Sequence, residues 1–221
     1  MKLLAEAALK FLIGLLLVGL LVFLPAGTIA FFQGWLFVAS LFIPIVFMGI
    51  VLFVKSPDLL KKRLNGREKE KTQKGVVSLS ALFFLVGFVL AGIDFRFSIL
   101  PLPLWVSMAA AVVLLLSYAL YAEVLRENAY LSRTVEVQSG QKVIDKGLYS
   151  IVRHPMYAAT VLLFLSIPLV LGSLLSLIAF FPYPALIVIR IRNEEAILRE
   201  QLTGYTDYCR KVKYRLIPFV W

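Results

Sequence analysis

Residues 155–189, PMYAATVLLFLSIPLVLGSLLSLIAFFPYPALIVI, carry the strongest indication of the architecture. It contains no charged residue, and its two apolar halves, 155–171 and 174–189, are separated only by Gly172-Ser173. Each half approaches the roughly twenty residues that a helix needs to cross the hydrocarbon core of a bilayer. Because two residues leave room only for a tight turn, the pattern predicts an antiparallel hairpin of two membrane helices.

Four further apolar stretches precede this hairpin. They cover residues 11–32, 36–54, 76–93 and 104–122. Of the 221 residues, 61% are hydrophobic and 16% are charged, whereas a soluble domain is nearer half apolar and a quarter charged. The sequence therefore predicts an all-α integral membrane protein with about six transmembrane helices, the last two forming the tight hairpin.

The loops between these stretches indicate the topology. With six spans, 22 of the 23 Lys and Arg residues lie on one side of the membrane and only Arg96 lies on the other. Five or seven spans would divide the basic clusters between both faces. The positive-inside rule therefore predicts cytoplasmic N- and C-termini, and a site formed by the polar loops would lie on the same side. A signal peptide over 11–24 is the alternative interpretation of the first stretch.

The net charge of +10 is distributed in short runs between apolar segments, which is typical of membrane topology and not of nucleic-acid binding. The basic loop 55–74 is expected to lie at anionic lipid headgroups, with a role in holding an acidic substrate as the alternative. Cys209 is the only cysteine, which excludes multi-cysteine zinc patterns, and no metal is expected. A transporter would carry ionisable residues inside its spans, and the predicted spans have essentially none.

The chain divides into an N-terminal part, 1–75, with two spans and the basic loop, and a core, 76–221. Most polar groups of the core lie in a loop at 128–157 and in the C-terminal segment 190–221. The hairpin brings the end of one segment close to the start of the other. We therefore expect one pocket at the membrane boundary, with membrane lipids as its neighbours.

His154 is the only histidine, and it precedes Pro155. Proline suits the first position of a helix, so Arg153-His154-Pro155 predicts a helix start with free N–H groups. Such a terminus suits a carboxylate, including the amino-acid end of a cofactor. A simple capping turn is the alternative.

Arg190 and Glu194 are four residues apart, so they share one helix face. They could form a stabilising ion pair, or Glu194 could accept hydrogen bonds from a cofactor while Arg190 binds an anionic substrate group. The stretch 141–149, with alternating polarity and one glycine, suits a loop whose backbone approaches a ligand closely.

Several pieces in a fixed order resemble the isoprenylcysteine carboxyl methyltransferase family and its relatives, the membrane phospholipid N-methyltransferases. They are QKVIDKGLY (141–149), RHPMY (153–157), the hairpin, R-x-x-x-E-E (190–195), Leu198, Tyr205, Tyr208 and RLIPF (215–219). The resemblance covers residues 128–221. The family usually has Phe-Gly shortly before its tandem tyrosines, where this chain has LTGY at 202–205, about one residue shorter.

This resemblance implies a site for S-adenosyl-L-methionine that lacks the glycine-rich loop of soluble methyltransferases. The cofactor-binding residues that it implies are Gln141, Lys142, Val143, Ile144, Tyr149, His154, Pro155, Met156, Tyr157 and Glu194. It also implies that Arg190 binds the substrate carboxylate. The expected reaction is carboxyl O-methylation of an isoprenylcysteine-like acceptor.

The catalytic roles depend on the acceptor. A carboxylate is already ionised at neutral pH, so Arg190 would only hold and orient it. A lipid amine must lose a proton, and Glu195 or Glu127 would then be the candidate base. The alternatives are therefore a phospholipid or lipid-amine N-methyltransferase, a non-catalytic membrane scaffold, and a sterol-reductase-like enzyme that uses a nicotinamide cofactor.

Overall fold

The computed structural model describes residues 2–65, 70–131, 134 and 137–221. Parts of two predicted loops, 66–69 of the basic loop and 132–133 and 135–136 of the cofactor loop, lie outside the described residues. The described residues form nine α-helices, one short 3-10 helix at Gly147–Ser150, and no strand. The α-helices are α1 (Lys2–Ala26), α2 (Phe32–Lys55), α3 (Pro57–Leu64), α4 (Lys71–Phe97), α5 (Leu104–Glu127), α6 (Pro155–Val170), α7 (Leu174–Phe180), α8 (Tyr183–Gln201) and α9 (Tyr205–Lys211).

The apolar helices confirm the prediction of an all-α, multi-pass membrane protein. Within the described residues, five segments are long and apolar enough to cross a membrane: α1, α2, α4, α5 and the run Leu174–Gln201 that contains α7 and α8. The segment expected to be the fifth span, α6, is also apolar but has only 16 residues. It is therefore shorter than an ordinary spanning helix.

The helix boundaries differ from the predicted spans where prolines and short polar segments intervene. The first stretch was expected to reach residue 32, but α1 ends at Ala26 and Phe32 already begins α2. The expected sixth span is broken, because α7 ends before Pro182 and α8 begins at Tyr183. Proline lacks the N–H that a continuing helix needs, which explains the break. Beyond it, α8 continues to Gln201 and carries the 190–195 motif on one helix.

A single apolar core joins the early and late helices. Its buried residues include Val22 of α1, Phe37 of α2, Phe88 of α4, Leu114 of α5 and Ile167 of α6. The first two helices therefore pack in one bundle with the helices of the segment 76–221. The expected boundary between residues 75 and 76 lies inside α4.

Two glycines of α4 permit close packing in this bundle. A Cβ at Gly87 would lie 2.2 Å from the Phe180 ring of α7, and one at Gly92 would lie 2.5 Å from the Val22 carbonyl oxygen of α1. Any larger side chain would push these helices apart, because close-packed interiors have no spare volume.

The predicted tight hairpin between α6 and α7 is confirmed, and a buried carboxylate holds its turn. Gly172 adopts φ = 71°, a conformation that glycine tolerates without strain. The Ser173 hydroxyl donates to Asp94 Oδ2, and the Leu100 N–H donates to Asp94 Oδ1 over 2.7 Å. Asp94 is only 1% exposed, so these bonds compensate for its burial. They fix the end of the bundle that contains the turn.

Candidate active site

A cavity lies at the other end of the bundle, between the 128–157 loop, the start of α6, α8 and α9. It encloses about 870 Å³ of atom-free space, including the part open to solvent. Ten of the twelve residues predicted for the site line it: Gln141, Lys142, Val143, Ile144, Tyr149, His154, Met156, Tyr157, Arg190 and Glu194. Pro155 and Glu195 are not among its lining residues.

The single glycine of the 141–149 loop is explained by a carboxylate and not by a ligand. Gly147 has φ = 58°, and a Cβ there would lie 1.8 Å from Glu127 Oε1. The Leu148 N–H donates to both oxygens of Glu127, at 3.0 and 3.2 Å. The glycine therefore lets Glu127, at the end of α5, hold the loop against the bundle. This observation differs from the expectation that the glycine allows a close approach to a ligand.

Tyr149 is buried where this loop meets α5 and α9. Its hydroxyl accepts a hydrogen bond from Asn128 Nδ2 over 2.9 Å, and its carbonyl accepts one from the Tyr208 hydroxyl over 2.7 Å. Burial raises the pKa of Tyr149 and of Tyr208 above the usual tyrosine range. Both hydroxyls are therefore neutral near pH 7, and they join three separate segments around the cavity.

The predicted helix start at Arg153-His154-Pro155 is confirmed. α6 begins at Pro155, and the preceding residue, His154, makes no side-chain cap hydrogen bond to the helix. The backbone before it is held by the C-terminal tail, since the Arg153 N–H donates to the Tyr214 carbonyl and the His154 N–H donates to the Arg215 carbonyl, both over 2.9 Å. The first turn of α6 is therefore fixed at the cavity wall.

A hydrogen-bonded chain of three side chains crosses the cavity wall between α6 and α8. Arg190 Nε donates to the Tyr157 hydroxyl over 2.8 Å, and the Tyr157 hydroxyl donates to Glu194 Oε2. Arg190 and Glu194 were expected to share a helix face. The structure adds that Tyr157, from the neighbouring helix, links the two charged groups and orients both.

Glu195 lies behind the cavity wall at the centre of a buried cluster of basic groups. Its Oε1 is 3.0 Å from Arg153 Nε and 3.2 Å from His154 Nε2, and its Oε2 accepts from Arg215 Nε over 3.1 Å. The contact with Arg153 is an ion pair by distance, without hydrogen-bond alignment at Nε. Since the Glu195 side chain is 5% exposed, its charge is committed to these partners. For a lipid-amine acceptor Glu195 is one of the two candidate bases, and in the structure its carboxylate faces these basic groups and is not among the residues that line the cavity.

Three residues that the sequence did not assign to the site also contribute to it. Gln73 of α4, fully buried, donates to Asn193 Oδ1 over 2.6 Å and to the Arg190 carbonyl over 3.3 Å, which fixes α8 beside the cavity. Arg153 and Tyr205 line the cavity, and the buried Tyr205 hydroxyl has no hydrogen-bond partner among the residues that the structure describes. A buried hydroxyl without a partner is costly, so it is suited to a polar group of a ligand.

The described residues contain no group of three or more His, Cys, Asp and Glu side chains that could hold a metal ion. The cavity instead combines arginines, a histidine, a carboxylate and tyrosines with apolar side chains such as Val143 and Ile144. Fold and site together define a multi-pass helical membrane protein with a polar small-molecule cavity at one end of its bundle.

Comparison with known proteins confirms the resemblance over part of the chain. Residues 104–203 match the family model described as phospholipid methyltransferase. This segment runs from the start of α5 to the loop after α8, so it contains the hairpin and most of the cavity wall.

Two curated proteins are similar to the chain over shorter stretches. The Delta(14)-sterol reductase TM7SF2 of Mus musculus is 32% identical over 91 residues, which cover 40% of this chain and 22% of that protein. The uncharacterized protein YpbQ of Bacillus subtilis (strain 168) is 31% identical over 101 residues, which cover 45% of this chain and 60% of that protein. The match thus spans about a fifth and three fifths of the lengths of these relatives.

Proposed function

We propose that this protein is a membrane methyltransferase that binds S-adenosyl-L-methionine in the cavity and methylates a lipophilic acceptor. The observation that carries the proposal is the convergence of separate sequence pieces on one cavity, within the segment that matches the phospholipid methyltransferase family. Gln141 and Tyr149 come from the loop, Tyr157 from α6 and Glu194 from α8. Such convergence is the arrangement expected of a binding site.

The residues present fit this cofactor. Glu194 is an acceptor for its ammonium or hydroxyl groups, and the positive end of α6, where Met156 is the first residue with a backbone N–H, suits its carboxylate. Val143 and Ile144 offer an apolar surface to its base, and the Tyr205 hydroxyl can complete its hydrogen bonding there. S-adenosyl-L-methionine, when bound, would supply a methyl group that an acceptor takes by in-line attack as the carbon–sulfur bond breaks and the neutral thioether leaves.

The acceptor that the site favours is a carboxylate, as in an isoprenylcysteine-like molecule. An acceptor carboxylate is already ionised and needs no base. The two protein side chains that could serve as a base already have partners, since Glu195 pairs with Arg153 and Glu127 accepts from the Leu148 N–H. Arg190, held by Tyr157, would bind and orient the carboxylate through charge-assisted hydrogen bonds. Glu195 then acts as a positioning residue for the wall and not as a catalytic one.

We assign this site to the cytoplasmic side, because all Lys and Arg residues except Arg96 lie in segments that the six-span topology puts on that side.

Binding calorimetry of the detergent-purified protein tests the cofactor. We expect saturable binding of S-adenosyl-L-methionine that Glu194→Ala weakens about tenfold or more, since a hydrogen bond to a charged group contributes about 1.5–3 kcal/mol. His154→Ala should also weaken binding, because it removes a side chain that lines the cavity. Glu200→Ala removes an equivalent but exposed carboxylate from the same helix and should leave binding unchanged. Folded protein that does not bind the cofactor would refute the proposal.

A nicotinamide-dependent reductase is a second candidate, favoured by the similarity to a sterol reductase. The same titration with NADPH separates the two functions. Binding of NADPH in the cavity, lost in Glu194→Ala, together with no response to S-adenosyl-L-methionine, would favour the reductase.

A further inference from the structure

The last residues of the chain expose an unusual amount of apolar surface. The side chains of Phe219, Val220 and Ile217 are 87%, 75% and 51% exposed, and Ile151, which lies across a groove from Phe219, is 52% exposed. The exposed apolar side chains of α1 and α2 can face the lipid chains, because these helices are long enough to span the membrane. The four residues named here lie outside such helices, so their exposure needs another explanation. A contiguous apolar patch of this kind marks an interaction surface.

The tail is folded so that these side chains stay on the outside. The N–H groups of Arg215, Leu216 and Ile217 all donate to the Trp221 carbonyl, at 2.9 to 3.1 Å, and the Trp221 N–H donates back to the Ile217 carbonyl. Phe219 adopts φ = 65° within this turn, which is strained for a bulky residue. Backbone strain that keeps a phenylalanine exposed indicates a use for the exposed ring.

Basic residues border the apolar patch. Arg210, Lys211 and Lys213 are exposed. Both lysines line the same groove as Ile151 and Phe219. An apolar surface with a basic rim is complementary to an anionic membrane, where hydrocarbon lies beneath negatively charged headgroups.

The position of the tail matches the membrane boundary. At 1.5 Å per residue the 16 residues of α6 are about 24 Å long, whereas the hydrocarbon core is about 30 Å thick. With the turn between α6 and α7 at the opposite surface of the bilayer, the start of α6 therefore lies no farther out than the headgroup region. Because Arg153 and His154 pair through their backbones with Tyr214 and Arg215, the tail lies at the same level.

We propose that residues 210–221, together with Ile151, form an interfacial anchor that inserts its apolar side chains into an anionic lipid surface. The lysines bind lipid phosphates, and Phe219 and Val220 enter the boundary between headgroups and acyl chains. This surface is separate from the cofactor cavity, so the inference does not depend on the proposed reaction.

Site-directed spin labelling of the full chain in lipid nanodiscs tests the anchor directly. Single cysteines at Phe219→Cys and Val220→Cys are introduced in a Cys209→Ser background, and the labels are exposed to oxygen, which concentrates in hydrocarbon, or to a water-soluble nickel chelate. Leu116→Cys, on an exposed apolar position of α5, is the lipid reference. Asp207→Cys, on an exposed polar position of α9, is the water reference.

In nanodiscs that contain phosphatidylglycerol, the ratio of oxygen to nickel collisions at residues 219 and 220 should be several-fold above that at residue 207 and should approach that at residue 116. A ratio equal to that at residue 207 would overturn the proposal. So would protection from both reagents, because it would mean that protein covers the patch, as in contact with a second copy.

The basic rim is tested in the same way. In Lys211→Gln/Lys213→Gln, the label at residue 219 should become more accessible to the nickel chelate, whereas Lys146→Gln, an exposed lysine away from the groove, should change nothing. Identical accessibility in the double variant and the parent would remove the headgroup part of the proposal.

Discussion

The charge cluster around Glu195 makes a sharp prediction about stability. The substitution Glu195→Gln keeps the size and polarity of the side chain and removes only its negative charge. It leaves Arg153, which is 6% exposed, buried beside the His154 ring without its carboxylate partner. Arg215, which ties the C-terminal tail to the cluster, loses the same partner.

The magnitude follows from this burial. Removing one partner of a buried ion pair costs about 3–5 kcal/mol, because the remaining charge is left uncompensated. The loss of unfolding free energy should lie in the upper half of this range if Arg153 stays buried. It should lie in the lower half if the C-terminal tail moves and water reaches Arg153. Glu200→Gln makes the same change at an exposed position of the same helix and should cost less than about 0.5 kcal/mol.

The unfolding free energy of both variants can be measured by reversible titration with a denaturing detergent, followed by circular dichroism. A Glu195→Gln protein as stable as Glu200→Gln would refute the assignment of Glu195 as the charge that holds this wall together. Arg153→Gln supplies the second arm of a double-variant cycle. We expect the two substitutions to be strongly non-additive, because they remove the same pair.

Three further substitutions test the geometry. Tyr157→Phe removes the hydroxyl that orients two charged groups and should weaken cofactor binding or kcat/KM about 5- to 150-fold, corresponding to about 1–3 kcal/mol, as measured by calorimetry and initial rates. Gly147→Ala drives a Cβ to 1.8 Å from Glu127 Oε1 and should disorder the loop, which limited proteolysis would detect, and lower cofactor affinity. Gly87→Ala places a Cβ 2.2 Å from the Phe180 ring and should lower the unfolding free energy by about 1–3 kcal/mol.

Each of these substitutions has a matched control in the chain. Tyr214→Phe removes a hydroxyl away from the cavity, and Gly49→Ala adds a Cβ to a membrane helix where no described atom lies within 4 Å. Gly140→Ala imposes backbone strain comparable to that of Gly147→Ala, at φ = 71°, but no atom of the described residues lies within 4 Å of its Cβ. If Gly140→Ala and Gly147→Ala were equally disruptive, strain alone, and not the collision with Glu127, would explain the loop.

Much of the fold was predictable because long apolar runs have few alternatives. The hairpin at Gly172-Ser173 and the helix start at Pro155 follow from local chemistry, and the structure confirms both. The break at Pro182 was missed, although the proline is visible in the sequence, because the apolar character continues through it. Periodicity and composition do not distinguish a continuous span from an interrupted one.

The site was predictable only where the residue motif carried the information. The resemblance indicated Tyr157, Arg190 and Glu194, and the structure brings them together on the cavity wall. Sequence alone could not separate Glu194 from its neighbour Glu195, because adjacent helical residues point in directions about 100° apart and only packing decides which faces a cavity. Gln73 was missed for a related reason, since it lies more than a hundred residues from Asn193, its partner.

The proposal that this protein methylates a lipophilic carboxylate is best tested by following the transfer of a labelled methyl group. Protein reconstituted in lipid vesicles is incubated with methyl-labelled S-adenosyl-L-methionine and either a farnesylated N-acetylcysteine or phosphatidylethanolamine. We predict that label enters the farnesylated acid as a base-labile methyl ester, and that Arg190→Gln abolishes the transfer while Arg192→Gln, an exposed arginine of the same helix, does not. No transfer of label to any lipid-soluble product, in protein that is folded and inserted, would contradict the account.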